Sequence, residues 1–334
     1  KGVVGVGFTV AVLGVLTLCD TWRINGVFLK YETPSAYTDL RKENLRAKEL
    51  MQSDGTLFRI LPLPDHHILN QAGLGLEGIP SITGFNNLTV GHYDRVLREI
   101  EPVTNMLWSK YAMGREIPYS DTDLLEAIHP LINLLNGRYL VVPSGIGLEP
   151  PVDRFTPVGE ADNYRIYKNT QALPWFYLAP RIQVVSDEDH ALELLRSGQV
   201  DPSAVALVEK MLPLELTNPE NTSKDLVDVV EHNPPEGFIH LQTQSENARL
   251  LVVSENYQSN WSVWVDGEPA DMLRVNYVWK GVALPAGKHR VEFRYRSSIL
   301  LFSRAATAFC ALFVVGLIAA DVIRRRKWVS EGTE

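Results

Sequence analysis

Cysteine is scarce: the 334 residues contain two, and both, Cys19 and Cys310, fall inside apolar runs. Neither a disulfide framework nor a thiolate metal site follows from them, so they say nothing of redox compartment. Positive charge is also in deficit. The formal net charge is -8 at pH 7, which excludes a nucleic-acid binder relying on a concentrated basic surface. Internal repeats and low-complexity tracts are missing, as are a nucleophile elbow, a Walker loop and a recognisable pair of catalytic carboxylates. An initial methionine is missing too, and the first apolar residues follow Lys1 at once, so further membrane spans are expected upstream.

What is present is the composition of a folded chain, 45% hydrophobic and 22% charged, long enough for about two ordinary domains of roughly 100–200 residues each. Gly2 to Cys19 runs without a charge and then meets Asp20 and Trp22. Extended slightly into the interface, it approaches the roughly 17–25 residues a spanning helix needs, with Trp22 as an interfacial anchor. A cleaved signal peptide would want a basic start and a small-residue cleavage site, and a lipoprotein site at Cys19 a small residue where Leu18 stands. Ala305 to Ala320 is a second apolar run, bounded by Arg304 and Asp321, which can snorkel to the headgroups. The dense basic cluster Arg324, Arg325, Arg326 and Lys327 follows it and is read as cytoplasmic by the positive-inside rule. These readings predict transmembrane helices at 2–22 and 304–323, an extracytoplasmic region at 22–298, and a cytoplasmic basic tail at 324–334.

Between the spans, helices and strands interleave, as in an α/β or α+β layer structure. Helices are expected over 41–52, over 90–113 with a break at Pro102, over a segment opened by a Ser120/Asp123 capping box, and over 187–197 capped near Ser186. Strands are expected at 57–61, 139–142, 164–168, 175–178 and 182–185. Residues 212–235, with Asn218-Pro219 and Asn233-Pro234-Pro235, have the turn chemistry of a linker. Beyond it, strand-like runs at 238–243, 249–254, 262–265, 273–279 and 290–295 predict a small β-sandwich over 236–298. The fold class expected is therefore an α+β membrane protein, with a mixed α/β domain at 30–211 and the β-sandwich both extracytoplasmic.

Chemical motifs are weak. Gly73, Gly75 and Gly78 fit G-x-G-x-x-G, but no strand precedes them and Pro80 follows, so a flexible loop is the better reading. Asp65-His66-His67 lacks any metal-ligand spacing and reads as a solvated loop; no metal site is expected. Asn87, Asn221 and Asn260 begin glycosylation sequons that agree with an outside location without establishing it. Tyr257, Trp261, Trp264, Tyr277 and Trp279 make the β region aromatic, with core packing the more economical use of most of them.

NGRYLVV, the run NYRIYKNTQALPWFYLAPRIQVVSDEDHALELLRSGQVDPSAVALVE, and LLVVSENYQSNWSVWVDGEPADMLRVNYVWKGVALPAGKHRVEFRYRS together resemble the C-terminal half of the bacterial YfhO-like membrane protein family. GFNNLTVGHYDRVL, with Gly84 and Tyr93, resembles a further family segment. The resemblance implies a polytopic protein similar to GT-C glycosyltransferases, which move a sugar from a polyprenyl-phosphate donor to a cell-envelope acceptor. It implies an acidic catalytic residue in an early outer loop upstream of Lys1, and a divalent metal in the full-length protein. No catalytic residue is carried over to this chain. The implied partners are the lipid bilayer, an upstream bundle of the same protein and a glycan or envelope polymer. Candidate acceptor contacts are Asn70, Asn86 and Tyr93 near the Gly-rich loop and Trp261 in the β region, since amides bond hydroxyls and aromatic faces cover sugar rings. The alternative is a non-enzymatic envelope protein whose outer domain binds glycan or a protein partner.

Overall fold

The capping box expected at Ser120 is formed in the computed structural model of the chain: Asp123 N donates to Ser120 Oγ at 3.1 Å, and Ser120 N to Asp123 Oδ2 at 3.3 Å. The structure describes residues 14–17, 19, 46–52, 55–63, 78–83 and 91–331, apart from 162–163, 186, 213, 218 and 234–235. The chain divides into Tyr37–Arg296 and a second unit made of the two ends, Lys1–Ala36 with Ser297–Glu334.

In the first unit, β1 (Arg59–Pro62) leads through α1 (Gly91–Met113) and α2 (Asp121–Leu134) to β2 (Gly137–Pro143), which pairs parallel to β1. α1 runs through Pro102 without the expected break. Pro102 faces solvent, so the carbonyl it leaves unpaired one turn back, at exposed Arg98, is free to bond water. α2 buries Leu124, Ile128, Leu131 and Leu135, the face anticipated from the spacing. It stops at Asn136, which takes a left-handed φ of 58°. Gly137 must then be glycine: a Cβ there would meet Ile132 Cγ2 at 2.4 Å and Ile82 Cδ1 at 2.5 Å. β3 (Phe155–Ala161) and β4 (Tyr164–Asn169) complete a sheet of order β1-β2-β4-β3.

β5 (Phe176–Ala179), β6 (Arg181–Val184), α3 (Glu188–Arg196) and β7 (Val205–Val208) follow. The cap of α3 is Asp187, next to the expected Ser186: its carboxylate accepts from Asp189 N at 2.9 Å, and its charge also complements the helix dipole. Then come β8 (Leu226–Asn233), β9 (Phe238–Ser245), β10 (Arg249–Asn256), β11 (Trp261–Val265), β12 (Glu268–Ala270), β13 (Leu273–Val275), β14 (Trp279–Leu284) and β15 (Gly287–Tyr295).

These strands form a six-stranded sheet, β5-β10-β14-β13-β7-β6, and a five-stranded sheet, β12-β11-β15-β9-β8. Both depart from the expected domain plan. The stretch read as a linker, 212–235, contains β8, which pairs antiparallel with β9. The six-stranded sheet also takes β5, β6 and β7 from before that stretch and β10, β13 and β14 from after it. No boundary therefore separates the α/β part from the sandwich; turn-rich composition marked a change of sheet. The expected strand 273–279 is likewise two strands, because Asn276 and Tyr277 both take left-handed φ (48° and 70°).

The six-stranded sheet is covered on both sides, which accounts for the uninterrupted apolar run of β10. Leu250 and Val252 join the helix-covered core, whereas Leu251 and Val253 join the core between the two sheets, with Phe176, Leu241, Val263 and Phe293. Each such fully buried side chain contributes about 1.5–3 kcal/mol.

In the second unit, α4 (Ser298–Glu331) contains the apolar run expected at 304–323. Phe309, Leu312, Phe313 and Val315 are all more than half exposed on it. Among the described residues no helix is long and apolar enough to cross a membrane; the unbroken stretch of α4 whose side chains are described is 306–320. The first expected span, 2–22, lies almost wholly outside the described residues.

Candidate functional site

β1 places one charge in an apolar strand, Arg59, and that charge is buried at 7% exposure. A buried guanidinium needs all-round bonding, and it is found on neighbouring elements. Nη1 donates to Leu135 O at 3.3 Å and Nη2 to Ser254 O at 2.6 Å. The guanidinium lies 3.8 Å from the Trp175 ring centre and 5.2 Å from that of Trp279. Its charge partner is Glu255 near the end of β10, with Nη2 to Oε1 at 3.8 Å.

Glu255 is held from two more sides. Trp175 Nε1 donates to Oε1 at 3.1 Å, and the His232 ring of β8 lies with Nε2 at 3.3 Å. His232 is fixed edge-on against Trp175 and Phe176 at 5.3 and 5.4 Å. Burial pushes the Glu255 carboxyl up, but the His232 hydrogen bond and the charges of Arg59, Lys280 and His232 outweigh it, so its pKa lies below the ordinary glutamate value. At neutral pH it is a carboxylate that accepts hydrogen bonds and holds no proton to give.

Arg59, His232 and Glu255 reach solvent in a cleft of about 480 Å³, whose walls include Leu57 and Pro80 and whose rim includes Gln52, Thr56 and Gly78. The volume suits one or two sugar rings or a similar ligand. Imidazole, guanidinium and carboxylate supply donors and acceptors, and Leu57 and Pro80 supply apolar surface.

Behind the cluster stands Lys280. Strand alternation points it, with Val282 and Leu284, into the core between the two sheets, and it is fully buried. Its Nζ lies 3.3 Å from the Trp261 ring centre and 5.7 Å from that of Phe293; among the described residues it has no hydrogen-bond partner. Burial lowers its pKa to about 7 against the opposing pull of Glu255.

The residues singled out from sequence are distributed unevenly around this site. Tyr93 lies beside the cluster: its hydroxyl donates to Ile82 O at 2.8 Å and its ring is tilted against Trp279 at 6.1 Å. Burial raises the phenol to about 12, with Arg59 pulling down and Glu255 pushing up. Trp261 is 8% exposed and packs in the sandwich between Lys280 and Tyr295, so its ring presents no open face to a ligand. Asn70, Asn86, Asp65-His66-His67, Gly73, Gly75 and Trp22 lie outside the described residues. Arg304, Arg324, Arg325, Arg326 and Lys327 lie on α4, their side chains outside the description. Among the described residues no three His, Cys, Asp or Glu side chains gather as a metal site.

The stretch that supplies His232, Glu255 and Lys280 is also the one with a recognisable relative: residues 221–307 match the model for the bacterial membrane protein YfhO. Over that stretch the chain is similar to YfhO. The chain has no match among curated proteins or solved structures.

Sequence reasoning missed Arg59, Trp175, His232 and Glu255. Two of them carried a signal, because a charge inside LFRIL and another closing LLVVSE each had to find a partner once those strands were buried. Which partner each found depends on β1 and β10 meeting across sheets, and no local pattern encodes that.

Proposed function

We propose that this chain is the C-terminal, extracytoplasmic accessory part of a polytopic membrane glycosyltransferase that moves a sugar from a polyprenyl-phosphate donor to a cell-envelope acceptor, and that the Glu255 cleft holds the acceptor. The observation that carries this reading is an ionised carboxylate, fixed by Trp175 and His232, opening to solvent from within the family-matched stretch. Such a group binds hydroxyls by accepting their protons in hydrogen bonds. It positions an acceptor and does not itself supply the acid or base of the transfer step. The exposed apolar side chains of α4 support a lipid-facing role; the positive-inside rule applied to residues 324–327 gives the orientation, residues 22–298 outside and the basic tail inside.

The low pKa of Glu255 favours binding over proton transfer, and this also suits the second reading, a non-enzymatic envelope protein that binds glycan. The two part in one experiment. Membranes carrying the full-length protein, wild type or Glu255→Gln, are supplied with labelled polyprenyl-phosphate sugar and acceptor. The expected result is donor-dependent transfer, with the variant raising the acceptor KM about tenfold and leaving the donor KM unchanged. Absence of transfer in wild-type membranes with Glu255-dependent glycan binding selects the second reading, and an unchanged acceptor KM removes the cleft from both.

A further inference from the structure

A second cleft, of about 690 Å³, lies where α2, the end of α3 and the segment after β4 meet. Its floor is a closed ring of polar side chains. Asn169 is 2% exposed, and its orientation is fixed because Oδ1 accepts from Gln171 N at 3.1 Å and Nδ2 donates to Gly137 O at 3.0 Å. Oδ1 therefore also faces His129 Nε2 at 3.2 Å, which must carry the proton. Asn169 Nδ2 donates to Asn133 Oδ1 at 2.7 Å, so Asn133 turns its Nδ2 to the bare Nδ1 of His129 at 3.4 Å. His129 is buried and burial lowers its pKa, in keeping with a neutral ring carrying one proton.

This arrangement holds Asn133 rigidly at the cleft, with one N–H and one lone pair left over among the described residues. Lining the same cleft are the Thr170 hydroxyl, the Gln171 amide, whose Oε1 accepts from Arg154 and whose N–H groups remain to donate, and the Ser203 hydroxyl, which donates to Asp201 at 2.7 Å and keeps its lone pairs to accept. Pro130, Pro174 and Pro202 give an apolar wall. Charge is balanced against anions. Arg154 is tied to Gln171 at 3.1 Å and to Asp153 at 3.5 Å, while Asp201 and Glu126 add negative charge at the lining. Neutral donors and acceptors lining one cleft with proline rings fit a ring that has hydroxyls on its edge and C–H groups on its face.

We infer that the cleft over Asn133 is a binding site for a neutral saccharide, separate from the Glu255 cleft. Its occupant is a sugar unit without carboxylate or phosphate. The inference stands whether or not the Glu255 cleft takes an acceptor, and different variants score the two.

The test uses the full chain in detergent, with lactose and N,N′-diacetylchitobiose as neutral probes and a glucuronate-containing disaccharide as the anionic one. Calorimetry measures affinity, and a photoreactive disaccharide followed by peptide mapping locates the site. The expected result is saturable binding of at least one neutral probe, at least tenfold weaker binding of the anionic one, and labelling within 170–174 or 197–203. The double substitution Gln171→Ala/Ser203→Ala, which leaves the buried ring intact, is expected to weaken binding at least tenfold while near-ultraviolet circular dichroism stays unchanged. The inference is overturned by no saturable binding of either neutral probe, by equal affinity for the anionic one, by labels confined elsewhere, or by a folded double variant that binds as wild type does.

Discussion

Replacing Lys280 by methionine is expected to stabilise the protein, and by an amount that depends on pH. The ammonium is fully buried and has no hydrogen-bond partner among the described residues. A fall in pKa from 10.5 to about 7 corresponds to a penalty on the order of 5 kcal/mol for carrying the charge inside. The Trp261 face, 3.3 Å away, returns about 2 kcal/mol by cation–π attraction, which leaves about 3 kcal/mol. The sign follows from proton linkage. Below pH 7 the lysine is protonated in both states and the penalty is present in full. Between about pH 7 and 10.5 the unfolded chain binds more protons than the folded one, so wild-type stability rises with pH; above that range the penalty is gone. Lys280→Met should therefore be about 3 kcal/mol more stable than wild type at pH 6 and within about 1 kcal/mol of it at pH 10.5. Urea unfolding of the full chain in detergent, followed by tryptophan fluorescence at both pH values, measures this. A variant less stable than wild type by the same margin at both would refute the reasoning, since it would mean that Lys280 has a bonded, charge-stabilising partner.

Arg59→Met strips two buried carbonyls of their donor and Glu255 of its nearest guanidinium, so it should cost about 2–4 kcal/mol in the same assay; Arg59→Lys, which keeps the charge but loses the stack on Trp175 and one donor, should cost less than the methionine variant. Asn276 takes a left-handed φ while its Oδ1 accepts from Leu207 N at 2.8 Å and its Nδ2 donates to the Tyr177 hydroxyl at 2.9 Å. Asn276→Gly should lose about 1–3 kcal/mol for those bonds, and Asn276→Ala about 1 kcal/mol more for backbone strain; equal losses would show that the conformation costs nothing.

Local chemistry was legible wherever one segment settles its own structure. The Ser120/Asp123 cap, the apolar face of α2 and most strands of the β region follow from spacing alone. What was not legible depends on partners far apart in sequence. Asn276 and Tyr277 look like strand residues by β-propensity, and the bonds of Asn276, through its backbone to β7 and through its side chain to β7 and β5, hold the turn. Residues 226–233 look like a loop between asparagine–proline pairs, yet β9 offers them an edge to pair with. Trp261 stood as a candidate sugar contact beside the favoured core reading of the aromatics, because nothing in its own strand announces a lysine on β14 that packs against the ring.

The same distinction bears on how the family match relates to the cleft. Residues 221–307 contain β8 to β15, which is the whole five-stranded sheet but only three of the six strands of its partner. The carboxylate and imidazole of the cleft come from inside this stretch, on β10 and β8. The guanidinium and the indole that fix them come from outside it, at Arg59 and Trp175. Glu255 without those two would keep its imidazole but lose the guanidinium charge and the indole hydrogen bond that orient it. Part of what makes it a candidate contact, the guanidinium's share of its ionisation and the indole's share of its fixed direction, therefore belongs to the junction of β1 and the residue before β5 with the matched stretch, so a comparison confined to 221–307 recovers the acid and the imidazole without these two.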